Sequence, residues 1–342
     1  MRRDFLKLGL LAPLFLSLFG LPKARAQETN FDALHFPSAS VLVNFSDPAY
    51  DDLFIQMLQE AGVNTVTLFT SPTEYNALSN RYTNLATLIR ARNLKVRFVI
   101  QDEVKAVTNL TSLPPTYPNP PSLTHYIETE SAVARAITTD IKPDYFSVVA
   151  EPTINEGRIG KKFTVRQWRK IISALNQEVK TYSPNTKTWV DILPKKLKER
   201  NILTKAITTG IDGVGFDLYD RTDILSTVQT YANKVKGAGK KCGITETWWN
   251  DIYANPNLDS PSNAQLEADW LGSTYTFAKN NGITDEFVPF FTNKFVNLQK
   301  LPLPLSVANI NNFLSAMETS LDNNERTIIH PAYRDLIASQ TP

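Results

Sequence analysis

Short apolar runs alternate with amphipathic stretches along nearly the whole chain. The runs are rich in β-branched and aromatic residues, and several of the stretches between them open with residues that cap helices. Runs that are apolar throughout, without a polar residue at every second position, are typical of parallel strands covered by helices. The predicted strands are residues 41–45, 65–70, 95–100, 145–150, 188–193, 213–218, 242–245 and 286–291.

This alternation predicts an α/β protein with a (β/α)₈ fold, the TIM barrel. The spacing of about 40 residues per strand–helix unit suits such a barrel with some long loops. An open doubly wound sheet would show the same alternation. The first predicted strand is not followed by a glycine-rich phosphate loop, so the barrel is favoured. We expect one barrel domain over residues 27–342.

The N-terminal residues have the pattern of an export signal. Arg2 and Arg3 precede an apolar run, which ends in the small-x-small sequence Ala24-Arg25-Ala26 that a signal peptidase accepts. The paired arginines resemble the twin-arginine signal of bacteria. We therefore expect residues 1–26 to be a twin-arginine-type signal peptide. The remainder would be periplasmic or secreted, with no membrane attachment after cleavage.

Charge, cysteine and histidine content argue against several classes of function. The formal net charge of +2 includes the basic signal, and residues 27–342 come close to −2, which disfavours nucleic acid and anionic membranes as partners. The single cysteine, Cys242, cannot form an intramolecular disulfide. His35, His125 and His330 lack metal-ligand spacing. We expect a monomer that needs no metal and no cofactor.

Two glutamates stand where predicted strands end. Glu151 follows the fourth strand in VVAEPT, and Glu246 follows the seventh in GITETWW. Barrel active sites are built at the C-terminal ends of the strands, and strands four and seven face each other across the mouth. Hydrolysis of a glycosidic bond requires two such opposed carboxyl groups, one protonated and one ionised. The alternative is that each glutamate is a strand-ending cap or salt-bridge partner.

These features resemble clan A of the glycoside hydrolases, which are retaining (β/α)₈ enzymes. The resemblance implies that Glu151 is the acid/base after strand four and Glu246 the nucleophile after strand seven. The chain departs from the usual clan pattern in three places. Ala150 stands where an asparagine is usual, strand two ends without an arginine, and Phe290 and Phe291 stand where a tryptophan is common.

Other polar residues are expected near the same mouth. The resemblance makes Tyr219 a hydrogen-bond partner of the nucleophile, with Asp217 beside it as a weaker candidate. Asp102, in the segment that follows strand three, is a candidate substrate contact. Glu156 lies further along its loop, which predicts a solvated charge. Asp191 is either a polar core residue of strand five or a residue of the mouth.

Aromatic residues follow the second glutamate directly. Trp248, Trp249 and Tyr253 are candidates for stacking on sugar rings, because indole and phenol rings bury the apolar face of a pyranose. Adjacent residues point apart, so one of the two tryptophans would pack beneath the loop instead. Trp168 and Trp270 fall on predicted helices and are expected in the core.

The combined expectation is an enzyme that cleaves β-linked polysaccharide or oligosaccharide with retention of configuration. Long segments at residues 106–123 and 251–263 follow strands three and seven, which favours an open cleft and endo action on a polymer. One alternative is a non-catalytic barrel that binds carbohydrate. Another is a periplasmic solute-binding protein with two α/β lobes.

Overall fold

The computed structural model describes residues 35–37, 52, 55, 59, 64–101, 115–219, 224–248 and 261–289. Within these residues, eight parallel strands form one sheet in sequential order from β1 to β8. The strands are β1 (His35–Pro37), β2 (Thr65–Thr70), β3 (Lys95–Ile100), β4 (Tyr145–Ala150), β5 (Lys187–Ile192), β6 (Gly213–Tyr219), β7 (Lys241–Trp248) and β8 (Phe287–Pro289).

Helices connect the strands and are capped as the sequence predicts. Ser71 accepts a hydrogen bond from the Glu74 amide at the start of the first helix. Thr164 and Gln167 form a reciprocal capping box at another. The helices are α1 (Pro72–Ala91), α2 (Leu123–Asp140), α3 (Pro152–Arg158), α4 (Val165–Tyr182), α5 (Leu197–Ala206), α6 (Leu225–Gly237) and α7 (Pro261–Asn280).

The predicted strand bounds agree closely with the structure wherever the structure describes them. β2, β3 and β4 have the predicted bounds, and β6 is one residue longer at its end. β5 is shifted by one residue at both ends. β7 begins one residue earlier and ends three residues later than predicted, whereas β8 begins one residue later, and the last two residues predicted for it lie outside the described residues. The predicted strand at 41–45 lies outside the described residues, and the first described strand is β1. Residues 52, 55 and 59 are helical.

The sheet curls strongly enough to bring β3 near β8. Arg97 on β3 forms ion pairs with Asp191 on β5 and with Glu286, directly before β8. Strands lie about 4.8 Å apart, so a flat sheet would separate β3 from β8 by roughly 24 Å. These ion pairs therefore define an enclosed inner face, and β1 also lies beside β8.

Large side chains and glycines share the inner face. A Cβ atom at Gly213 on β6 would lie within 2.7 Å of three ring atoms of Trp189 on β5. At Gly215, a Cβ atom would collide with the side chains of Thr245 and Asp191. Glycine on β6 is therefore what leaves room for these side chains in the interior.

The outer face of the sheet is covered by the apolar faces of the helices. Trp168 on α4 and Trp270 on α7 are 0% and 3% exposed, so both are core residues as predicted. The lone cysteine, Cys242, is buried and free. Among the described helices, none combines the length and apolar character needed to cross a membrane.

Candidate active site

Glu151 follows β4 in a strained backbone conformation. Its φ of 43° lies in the left-handed region, which costs a residue with a side chain about 1–3 kcal/mol. The Glu151 amide donates to the Asp191 carbonyl at 3.0 Å, and Pro152 begins α3 directly afterwards. The side chain is only 7% exposed. Such strain is found mainly at functional sites, where the surrounding structure enforces it.

Glu246 reaches the same place because β7 contains a bulge. Phe216 pairs with Ile244 and Asp217 pairs with Glu246, so Thr245 is an extra residue in β7. Thr245 donates to Asp217 on the inner face, and Glu246 also faces inward, to Tyr219. A bulge allows two consecutive side chains to share one face.

Regular alternation resumes after the bulge in β7. Thr247 accepts a hydrogen bond from the indole of Trp270 on α7 at 3.0 Å, on the outer side of the sheet. If the strand alternated regularly through Thr245, Glu246 rather than Thr247 would face α7. β4 also has a register shift, between Ser147 and Val149, before its own glutamate. Both strands that carry a candidate catalytic glutamate are therefore irregular just ahead of it.

Tyr219 joins the two glutamates. Its hydroxyl donates to Glu151 Oε1 at 3.2 Å, and it also hydrogen-bonds the Glu246 carboxyl. Burial raises the pKa of Tyr219 well above its usual value, so the side chain remains a neutral phenol. Hydrogen bonds to oxygen are about 3 Å long, so two on one phenol oxygen place the nearest carboxyl oxygens within about 6 Å of each other.

Both candidate catalytic carboxyls resist ionisation. Burial is the largest cause for each, and it raises the pKa of Glu246 to about 8 and raises the pKa of Glu151 as well. The Glu151 charge raises the pKa of Glu246 further, whereas the Arg158 charge and the Tyr219 hydrogen bond lower both values. Because ionisation of one carboxyl discourages ionisation of the other, the titrations of Glu151 and Glu246 depend on each other.

Gln101 makes a second contact with the first glutamate. Its Nε2 donates to Glu151 Oε2 at 3.2 Å, and the Gln101 side chain is itself buried. It directly follows β3 and precedes Asp102, the residue that the sequence analysis selected from this segment. Both oxygens of Glu151 are therefore oriented, one by Tyr219 and one by Gln101.

Asp217 lies one layer deeper on β6 than Tyr219. Its carboxyl is 4% exposed and accepts a hydrogen bond from Thr245 Oγ1 at 2.9 Å. Burial raises the pKa of Asp217 well above its usual value, and the charges of Asp191, Glu246 and Glu151 raise it further. Burial therefore favours the neutral form of Asp217. The substrate contact predicted for it stays a prediction.

Asp191 proves to be a polar core residue. Both of its carboxylate oxygens accept hydrogen bonds from Arg97 Nη2, at 2.9 and 2.8 Å. The same nitrogen donates to Ser147 Oγ at 2.5 Å, and Nη1 pairs with Glu286. Arg97 and Glu286 are fully buried. The site therefore stands above an interior ion network that sequence reasoning missed, although an arginine inside the apolar strand KVRFVI was a signal.

The expectation that Glu156 is a solvated loop charge was wrong. The side chain is 7% exposed and pairs with Lys198 at 2.5 Å. It also accepts hydrogen bonds from the Trp168 indole at 2.9 Å and the Phe163 amide at 2.8 Å. The segment forms helix α3 instead of an open loop, which places Glu156 against α4 and α5.

Several predicted contacts fall outside the described residues, namely Asp102, Trp249 and Tyr253. Trp248 is the last residue of β7, but its side chain is outside the description as well. Their stacking and binding roles stay predictions. The described part of the chain contains no group of three His, Cys, Asp or Glu side chains placed to hold a metal ion.

Comparison by sequence finds no matching protein-family model and no matching curated protein. Comparison by structure finds similar folds. A GH5_18 protein from Bifidobacterium longum in complex with Manβ1-4GlcNAc is 10% identical, with a TM-score of 0.61, and the match covers 89% of this chain and 78% of that one.

Two further solved structures extend this picture. A β-glucanase from Saccharophagus degradans in complex with cellotetraose is 12% identical, with a TM-score of 0.52 and coverage of 84% of this chain and 89% of that one. A structure from work on two fungal β-1,4-galactanases is 15% identical, with a TM-score of 0.52 and coverage of 75% and 88%. At these identities the likeness shows the fold. That fold is the one the resemblance to clan A predicts.

Proposed function

We propose that this protein is an exported glycoside hydrolase that cleaves a β-linked glycan with retention, at the mouth of a closed (β/α)₈ barrel. The observation that carries the proposal is the Glu151–Tyr219–Glu246 arrangement, in which one phenol joins a buried carboxyl and a half-buried one. A carbohydrate substrate is supported by the fold neighbours, which include a galactanase, a glucanase and proteins bound to oligosaccharides.

Retention is favoured by the short distance across the pair. The shared phenol keeps the nearest carboxyl oxygens within about 6 Å. Retaining enzymes have carboxyl groups about 5–5.5 Å apart, whereas inverting enzymes separate them by about 6.5–9.5 Å to admit a water molecule. The bound of about 6 Å lies below the inverting range, which supports direct attack of the second carboxylate on the sugar.

The proposed reaction has two displacement steps. Glu151 donates its proton to the leaving glycosidic oxygen while Glu246 attacks the anomeric carbon and forms a glycosyl ester. Glu151 then takes a proton from water, which attacks the same carbon and releases Glu246. The pKa values of both carboxyls shift in the same direction, so they do not distinguish the acid/base from the nucleophile. The two roles are therefore assigned from the strand order of clan A.

The raised pKa values of the pair fit this cycle. A carboxylic acid is needed to protonate the leaving group, and an ionised carboxylate is needed to attack. Tyr219 donates a hydrogen bond that stabilises an ionised oxygen, and Gln101 holds Glu151 from the other side. No cofactor is required for either step.

The decisive experiment measures release of reducing ends from β-galactan, β-mannan, xylan and β-glucan. Wild type is compared with Glu246→Gln, and Glu156→Gln serves as a control that alters a buried acid outside the pair. We expect wild type to cleave one of these polymers and Glu246→Gln to lose activity at least about 10³-fold. The control should retain activity per folded molecule.

Failure in this experiment would have a definite meaning. If wild type binds one of the polymers and releases no reducing ends, the protein is a carbohydrate-binding barrel and the hydrolase proposal is wrong.

Export and a monomeric state are separate parts of the proposal. N-terminal sequencing of exported protein should begin at Gln27, and light scattering should give the mass of one chain.

A further inference from the structure

Glu199 on α5 ties together two backbone segments that support Glu151. Its side chain is fully buried. One carboxylate oxygen accepts hydrogen bonds from both the amide, at 3.1 Å, and the hydroxyl of Thr153. The other accepts a hydrogen bond from the Leu193 amide at 2.5 Å. One carboxylate therefore links the start of α3, after β4, to the segment after β5.

The start of α3 needs such a partner because its own N-cap residue is used elsewhere. A helix N-cap side chain normally accepts a hydrogen bond from one of the first free amides. Glu151 is the N-cap of α3 and makes no side-chain cap, since its carboxyl faces Gln101 and Tyr219. Glu199 accepts from the Thr153 amide in its place.

The bond to Leu193 supports the other side of Glu151. Leu193 directly follows β5, and Asp191, two residues earlier, accepts the Glu151 amide through its carbonyl. Glu199 thus holds the chain two residues after Glu151 and also holds the strand end to which the Glu151 amide is bound. Both supports act on a residue whose left-handed φ must be enforced by its surroundings.

Glu156 provides a contrast within the same small region. Both acids are buried near α3, but Glu156 is paired with the Lys198 ammonium, as expected for a structural charge. The described residues place no ion-paired cation at Glu199, whose donors are two amides and a hydroxyl. Burial accordingly raises the pKa of Glu199 to about 7, and the nearby Glu151 charge contributes.

We propose that Glu199 is a positioning residue of the active site. It caps α3 in place of Glu151 and so keeps the Glu151 carboxyl directed at Tyr219 and Glu246. The catalytic consequence rests on the proposed glycosidase function, whereas the effect on Glu151 itself does not.

The test compares Glu199→Gln with Glu156→Gln, the same change at two buried acids, one in α5 and one in α3. Glutamine at 199 replaces one acceptor oxygen with an NH₂ group. That group is a donor, so it cannot accept the hydrogen bond from either Thr153 or Leu193. We expect the ¹³C carboxyl signal of Glu151 to shift in Glu199→Gln and to stay unchanged in Glu156→Gln. On a cleaved glycan, Glu199→Gln should lower kcat about 10-fold and leave KM within about two-fold.

A second variant keeps the test decisive if Glu199→Gln does not fold. Thr153→Val removes only the hydroxyl contact to Glu199 and should shift the same Glu151 signal by a smaller amount. If the signal shifts but wild type cleaves no glycan, the positioning role stands and the hydrolase proposal fails. A Glu151 signal that is unmoved in a folded variant, with a stability loss matching that of Glu156→Gln, would overturn the positioning role.

Discussion

Two pairs of acids lie on the inner face of the same sheet, and each pair is joined by one central side chain. Asp191 and Glu286 are joined by Arg97, a fully buried cation. Glu151 and Glu246 are joined by Tyr219, a neutral phenol at the C-terminal end of the strands. The composition of the two clusters thus differs mainly in the charge of the joining group.

That difference decides what each pair is suited to do. A guanidinium compensates buried carboxylates and binds them in fixed geometry, which makes the Arg97 cluster a structural element. A phenol supplies a hydrogen bond but no charge, so burial dominates and the pKa of both Glu151 and Glu246 rises. The raised pKa values of the second pair therefore suit a carboxyl that donates and recovers a proton near neutral pH.

Removing the cation of the deep cluster should have the largest effect. Arg97→Met removes the cation that compensates two buried carboxylates, which costs about 3–5 kcal/mol of unfolding free energy. Chemical denaturation of Arg97→Met and wild type measures this loss. Arg135→Met is the matched control, because its pair with Glu178 at 2.5 Å lies at the surface and should be worth less than about 1 kcal/mol. Equal losses of unfolding free energy in Arg97→Met and Arg135→Met would contradict the structural role of the buried Arg97 cluster.

Removing the phenol should cost less, and the cost should depend on pH. The Tyr219 hydrogen bond lowers the pKa of Glu246, so Tyr219→Phe raises it further above the unfolded value. A group with a raised folded pKa stabilises the fold at low pH and loses that contribution as pH rises through the folded pKa, here about 8. We therefore expect Tyr219→Phe to lower Tm by about 2 °C more at pH 9 than at pH 6.

The control for this prediction is another buried tyrosine next to an acid. Tyr75 donates to Asp140 at 3.3 Å, away from the two glutamates. Tyr75→Phe should lower Tm by the same amount at both pH values. If Tyr219→Phe also shows no difference between pH 6 and pH 9, Tyr219 does not act on the ionisation of the pair.

Much of the framework was predictable because local patterns specify it. β2, β3 and β4 have the predicted bounds, since their sequences are continuous apolar runs between polar segments. The positions of Glu151 and Glu246 at strand ends follow from the same runs. Parallel order then brings the two ends to one edge of the sheet, which is why two residues distant in sequence were expected to meet.

Apart from the Tyr219–Glu246 hydrogen bond that the resemblance implied, the side-chain pairing was not predictable, because it depends on register and on long-range contacts. The bulge at Thr245 turns Glu246 inward, and nothing local in GITETWW marks that extra residue. Arg97 finds its partners on β5 and before β8, and Glu199 finds its donors after β4 and β5. Glu156 was misjudged for the same reason, since its partner Lys198 belongs to α5.

The most direct measurement is mass spectrometry of the protein after incubation with an activated 2-deoxy-2-fluoro β-glycoside of the sugar that it cleaves. The fluorine destabilises the oxocarbenium-like transition states, so a retaining enzyme accumulates its glycosyl ester. We predict one covalent glycosyl group, located by peptide mapping on Glu246 and absent from Glu246→Gln. Hydrolysis without any covalent adduct and with inverted product, or an adduct on Glu151, would contradict the assignment.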